Sequence, residues 1–288
     1  MVRRALLLAA LTLLALPAAT AGATAPGENG RLAFDSDHDG ISDIYTIAAD
    51  GSDVQRLTTS DDPESNPSWS PDGKRIAYTR YTELWIMNAD GSDQHRVPNA
   101  HKDLRDPAWS PDGRRIAYAT GGDRTDIWTI APNGKRRTRI TRTRADELLP
   151  AWSPDGRRLA WTRERNEVYK LVVARRDGSR AKVILPKFGD TQLGPAWSPN
   201  GRQILFFNTD PRLFSVTPSG KARKRLFYGE SPAFSPDGKL VAYAEIDEEA
   251  ETGPIYVRSP SGRGEPELIT PFRPNRDRCD NPDWQPVK

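Results

Sequence analysis

Cysteine is almost missing from this 288-residue chain: Cys279 is the only one, so no disulfide can form within it. Stability must then come from packing a core of about 260 residues. The thiol falls in a loop predicted over 273–281 and reads as part-buried and unpaired, rather than as a bridge to another chain. Histidine is also scarce. His38, His95 and His101 make no His-x-x-x-His pair and no Glu-flanked metal motif. There is no Gly-x-Ser-x-Gly elbow and no phosphate-binding glycine loop. A marked excess of one charge is lacking too. The 42 Lys and Arg face 39 Asp and Glu, and without residues 1–25 the balance is 40 to 39. No nucleic-acid partner is expected from such a balance.

Long apolar runs are absent beyond the first residues. Arg3 and Arg4 precede an apolar stretch from Ala5 to Leu16, and small-x-small sites follow at Ala19-Thr20-Ala21, Ala21-Gly22-Ala23 and Ala23-Thr24-Ala25. This pattern is a secretory signal peptide over 1–23, with cleavage expected near 21–25. The run is too short to span a bilayer comfortably. The mature chain is therefore expected to be exported to the periplasm, the cell envelope or the outside, with no transmembrane segment. No cysteine lies near the cleavage site to carry a lipid.

What is present is a repeated phrase: proline, one residue, an aromatic, Ser-Pro-Asp-Gly, then an apolar strand. It runs from Pro67 to Gly73, Pro107 to Gly113, Pro150 to Gly156, Pro195 to Gly201 (with Asn200 for Asp) and Pro232 to Gly238 (with Phe234 for Trp). Its aromatics, at 69, 109, 152, 197 and 234, are 40, 43, 45 and 37 residues apart. Repeats of this length made of strands and tight turns signal a β-propeller. The chain ends supply a sixth copy in two halves. Asn29-Gly30-Arg31-Leu32-Ala33-Phe34 matches the second half, and Asn281-Pro282-Asp283-Trp284 matches the first. A second series of turns, Asp50-Gly51, Asp90-Gly91, Asn133-Gly134, Asp177-Gly178, Ser219-Gly220 and Ser261-Gly262, also counts six. The expected fold is all-β, a six-bladed propeller of four-stranded antiparallel blades over residues 28–288. The C-terminal strand closes the ring by joining the N-terminal blade. The repeated Trp residues read as packing between blades.

The phrase Trp-Ser-Pro-Asp-Gly-x-x-Ile-Ala-Tyr, joined to Asp-Ile-Tyr and Ala-Asp-Gly-Ser, resembles the TolB-type, WD-repeat-like propeller family over roughly residues 28–288. The resemblance implies a six-bladed propeller, often exported and acting in protein–protein contacts. Members proper carry a separate domain ahead of the propeller, whereas here the repeat starts soon after the leader. The matched motif is structural, so no site residue carries over from it.

Candidate binding residues come from the loops that differ between blades. In an up-and-down blade, the strand-one/two and strand-three/four turns emerge on one face of the ring. The variable loops emerge on the other, and loops on a rigid scaffold usually carry binding. The candidates there are Asp61, Asp62, Glu64, His101, Asp103, Arg105, Asp146, Glu147, Asp190, Arg276, Asp277 and Arg278. A protein partner and a monomeric, non-catalytic binding or scaffold role are expected. The alternative is a carboxylate- or metal-dependent lyase or hydrolase acting on a saccharide or peptide in the channel. No cofactor motif is present, save one loop whose alternating carboxylates Asp35, Asp37, Asp39 and Asp43 surround Gly40, which suits Ca²⁺ or an ordinary hairpin. The basic runs Lys135-Arg136-Arg137 and Arg223-Lys224-Arg225 precede outer strands, where charge blocks unwanted pairing.

Overall fold

The computed structural model describes residues 26–121, 124–245, 253–272 and 277–287. The predicted leader and its cleavage site lie outside them. Twenty-four strands form six four-stranded antiparallel sheets, with no helix among the described residues. No helix there is long and apolar enough to cross a membrane. Blades 2 to 6 are simple meanders that begin at Glu64, Leu104, Asp146, Leu193 and Glu230. Blade 1 takes three strands from the N-terminus, Glu28–Ser36, Asp43–Ile47 and Gln55–Arg56, and its innermost strand, Cys279–Val287, from the C-terminus. Leu32 pairs with Trp284 and Ala33 with Asp283, which is the predicted closure.

The innermost strands touch one another in sequence around the ring. Each passes through a proline, which has no N–H to give to the ladder. The chain answers with a bulge. Register slips between Ser65 and Ser68, Arg105 and Ala108, Leu148 and Ala151, Leu193 and Ala196, and Glu230 and Ala233. The residue before each proline is left-handed: Asn66, Asp106, Leu149, Gly194, Ser231 and Asn281 all have φ between 48° and 57°. A bulge lets pairing resume on both sides of the proline. Strand one therefore begins ahead of the repeated proline, at Glu64, Leu104 and Asp146 in blades 2 to 4, and Cys279 sits on a strand rather than in the loop predicted over 273–281.

The Ser-Pro-Asp-Gly phrase is a self-contained turn. In blade 2, Ser70 Oγ donates to Asp72 Oδ1 at 2.6 Å and accepts Arg75 N at 2.9 Å, while Lys74 N donates to the same Asp72 oxygen at 3.1 Å. Gly73 takes φ 67°, closed to most side chains. Blades 3, 4, 5 and 6 repeat the Ser-to-Asp or Ser-to-Asn bond.

The core lies between blades. Trp109 packs with Ile116, Tyr118 and Ile130 of its own sheet and with Ala77, Leu84 and Ile86 of the preceding one. Leu32, Phe34 and Trp284 of blade 1 pack on Ala242, Ile255 and Val257 of blade 6. Loss of one such tryptophan to alanine costs about 3–5 kcal/mol. The Arg75 and Arg158 guanidinium groups lie 4.9 and 4.7 Å from the ring centres of Trp109 and Trp197 in the next blade. Outer strands end the sheets abruptly: Gln55–Arg56, His95–Arg96 and Thr138–Arg139 are two residues each, short and charged as edges should be.

Candidate functional site

The variable-loop candidates divide by exposure. Asp61, Asp62, Asp103, Arg105 and Asp190 are exposed. Asp146 is half-buried, and its Oδ1 accepts Thr125 N at 2.6 Å. His101 is half-buried; its ring packs 4.4 Å from that of Trp128, and Nδ1 lies 3.0 Å from the Tyr118 hydroxyl. Burial, helped by the Arg137 charge, lowers its pKa, so the ring is neutral at physiological pH. Arg276 lies outside the described residues.

Glu64 and Glu147 are not loop residues. Both are fully buried on innermost strands and perform the same task in blades 2 and 4. Glu64 pairs with Arg80 at 2.7 Å and accepts Ser60 Oγ. Glu147 pairs with Arg163 at 2.9 Å and accepts Thr143 Oγ1 and Trp161 Nε1. The bulge carries the strand past proline into the predicted loop, and the carboxylate there ties strand one to strand two. Burial raises both carboxyls above the usual range.

The four aspartates of 35–43 are each engaged by protein groups, and Asp39 and Asp43 share Arg56. Asp35 is buried and accepts Asn66 N and Asn281 Nδ2, both at 2.9 Å. Asp37 accepts the backbone N–H of Arg278 at 2.8 Å. Asp39 takes the Tyr45 hydroxyl at 2.8 Å, and Arg56 at 3.0 Å. Asp43 binds Arg56 at 2.5 Å and Thr58 Oγ1 at 3.1 Å. Blade 3 repeats the last arrangement, with Asp126 on Arg139 at 2.5 Å and on Thr141 Oγ1 at 2.8 Å. Asp43 is thus a brace of the repeat. Among the described residues, no three Asp, Glu, His or Cys side chains gather as a metal-binding group. The loop is held to the C-terminal segment by Asp37 and by His38, whose Nδ1 lies 2.8 Å from Asp277 Oδ2 and whose ring stacks 4.3 Å from Phe272. Asp277 is buried and Arg278 half-buried.

A group of acids at the centre of the ring was not foreseen. Asp280 sits opposite Asp35 on the paired strands, accepts Ser231 Oγ at 2.6 Å and pairs with Arg278 at 3.1 Å. Burial first, then the Asp280 charge, raises Glu230 to about 9 and Asp35 to about 7. Burial raises Asp106 and Asp283 to about 7 as well. Asp283 still accepts the backbone N–H of Trp69 in the next blade at 2.6 Å. The sequence signal was the slot beside the repeated proline. Asp106 precedes Pro107 and Asp283 follows Pro282, at places where other blades carry Leu149 or Gly194, and Ala108 or Ala151. These carboxyls are 1–7 % exposed, so they bind the ring together and meet little solvent.

A family described as the TolB beta propeller domain matches residues 65–288, most of the chain. The chain belongs to the TolB β-propeller family. Among curated relatives, the Tol-Pal system protein TolB of Desulfosudis oleivorans is 43% identical over 51 residues, which is 18% of this chain and 12% of that protein's length. Among solved structures, TolB from Acinetobacter baumannii superposes with a TM-score of 0.77 at 20% identity, covering 91% of this chain and 68% of its own. An oligogalacturonate lyase in complex with manganese superposes at 0.62 with 13% identity, covering 87% of this chain and 77% of its own. At such identities the structural likeness describes the fold, which a TolB and a lyase share.

Proposed function

We propose that this TolB-family propeller is an exported, monomeric, non-catalytic module that docks a protein partner on its variable-loop face. One observation carries the reading. The loops of that face differ from blade to blade and present Asp61, Asp62, Asp103, Arg105 and Asp190 to solvent, while the opposite turns repeat one geometry. An asymmetric rim of mixed charge on a rigid ring suits recognition of a protein surface. Export rests on the leader read from the sequence, and a place in the cell envelope fits a relative named for the Tol-Pal system.

Of the carboxyls that an enzymatic alternative could call on, Glu230, Asp35 and Asp280 are 2–7 % exposed, and Asp35 and Asp280 are hydrogen-bonded within the ring.

The test is capture of partners from envelope and secreted fractions by the mature protein, followed by mass spectrometry. Reversal of Asp103 to Arg with Arg105 to Asp should weaken retention of the specific partner at least tenfold, while melting stays unchanged. Equal retention by wild type and variant would remove this face from consideration. The location of the mature protein, read by fractionation, tests export separately.

A further inference from the structure

The strand-three/four turn occurs six times, and one copy departs from the others. The two residues ahead of the turn pair are Ala48-Ala49, Asn88-Ala89, Ala131-Pro132, Thr217-Pro218 and Ser259-Pro260 in five blades. In blade 4 they are Arg175-Arg176. The hairpin itself is unchanged. Gly178 has φ 82°, beside 78° and 83° at Gly51 and Gly91, and Arg175 N reaches Ser179 O at 2.9 Å as Ala48 N reaches Ser52 O. The turn forms equally well from two alanines, so folding does not call for two exposed arginines there.

Their surroundings concentrate the same charge. Two adjoining cavities of ≈ 950 and ≈ 1000 Å³ lie on the tight-turn face between blades 3 and 4 and share Asp112, Gly156, Arg176 and Asp177. Nine Lys and Arg side chains line them against three aspartates. All three aspartates are engaged within their own turns: Asp112 with Ser110, Asp155 with Ser153 and Asp177 with Ser179 N. Six of the cations, Arg114, Lys135, Arg136, Arg157, Arg175 and Arg176, are exposed, and among the described residues their side chains make no hydrogen bond, ion pair or ring contact. Four other arginines, Arg56, Arg80, Arg139 and Arg163, are committed to buried carboxylates. Asp112 acts through its charge on Arg114 and Arg176, Asp155 on Arg157 and Asp177 on Arg175, but nine cations against three aspartates leave the concavity positive, which favours an anionic ligand.

The walls narrow the choice of ligand. Half-buried Pro111 and Pro154 lie in the groove beside the guanidinium groups. Proline rings give apolar contact to an extended main chain, and the guanidinium fork matches a carboxylate in two parallel hydrogen bonds. We propose that this groove binds an acidic peptide segment of a protein partner, on the face opposite the variable loops. Lys135 and Arg136, read from sequence as edge protection, then belong to a binding surface. The proposal does not depend on the loop-face reading.

A fluorescein-labelled hexaglutamate peptide, titrated into the full mature protein at low and at physiological salt, tests it. The wild type should bind, more weakly as salt rises. R175A/R176A, which installs the blade 1 residues, should weaken binding about tenfold with melting unchanged. R202A/K221A removes two charges from the same face on blade 5 and should change affinity less than about twofold, as should the Asp103/Arg105 reversal. The proposal is overturned if the wild type does not bind the peptide, if R175A/R176A binds as the wild type does, or if R202A/K221A weakens binding as much. It is also overturned if polyphosphate or phosphatidylglycerol vesicles bind in an Arg175- and Arg176-dependent manner while the peptide does not.

Discussion

The two faces of this ring follow different rules. On one, the same hydrogen bonds recur in blade after blade: serine to aspartate, then aspartate to the N–H two residues on. On the other, the loops differ from blade to blade, with Asp61 and Asp62 exposed ahead of blade 2 and half-buried His101 against Trp128 in blade 3. Repetition marks what folding needs, because every blade meets the same geometric problem. A departure from repetition that folding does not need, such as Arg175-Arg176, marks what folding leaves free for recognition.

The largest expected effect comes from the one place where a repeated unit is split between distant segments. Truncation after Thr270 removes the innermost strand of blade 1, with Trp284 and its contacts to blades 1 and 6. Loss of cooperative melting is expected, read by circular dichroism. A truncated chain that melts as the full chain does would show that the ring needs no closure.

Next come the braces. D43A and D126A remove the same bonds from blades 1 and 3. Each should cost about 2 kcal/mol, a fall of roughly 4–8 °C in melting temperature. Equality of the two is the sharp outcome. If Asp43 were a calcium ligand, millimolar Ca²⁺ would raise the melting temperature of the wild type and of D126A but not of D43A. The brace predicts no such difference.

The central acids set a third comparison, between low and high pH. Their pKa values are raised on folding, so the folded chain holds protons that the unfolded chain releases above its own carboxylate range. Stability from these groups is therefore present at low pH and is lost as pH rises from about 4 toward 7 for Asp35, Asp106 and Asp283, and toward 9 for Glu230. E230Q, neutral at every pH, should melt a few degrees above the wild type at pH 8.5 and close to it at pH 5. A gap that does not widen with pH would mean that Glu230 is charged in the fold.

The fold was legible because the phrase encodes turn geometry directly. Serine, aspartate and glycine each fill a stereochemical need at Ser70, Asp72 and Gly73, and the split phrase at Gly30 and Trp284 shows how the ring closes. The candidate site was less legible. Glu64 and Glu147 looked like loop residues because a proline three residues on seemed to end the strand, and the left-handed residue that rescues pairing can be Asn, Asp, Leu, Gly or Ser. No residue type announces that bulge. The brace role of Asp43 was legible in the sequence, since Asp43 with Arg56-x-Thr58 repeats as Asp126 with Arg139-x-Thr141.

The difference between the faces is tested most directly by melting two double variants side by side. S153A/D155A breaks the repeated turn of blade 4 without touching a loop, and D103R/R105D reverses two exposed charges on the variable face. The first should lose about 1–2 kcal/mol and melt roughly 3–6 °C lower. The second, with Asp103 in the left-handed region at φ 57°, should lose no more than about 0.5 kcal/mol and stay within about 2 °C of the wild type. A stable turn variant beside a destabilised loop variant would contradict the assignment of folding to the repeated turn bonds and freedom for recognition to the residues that depart from the repeat.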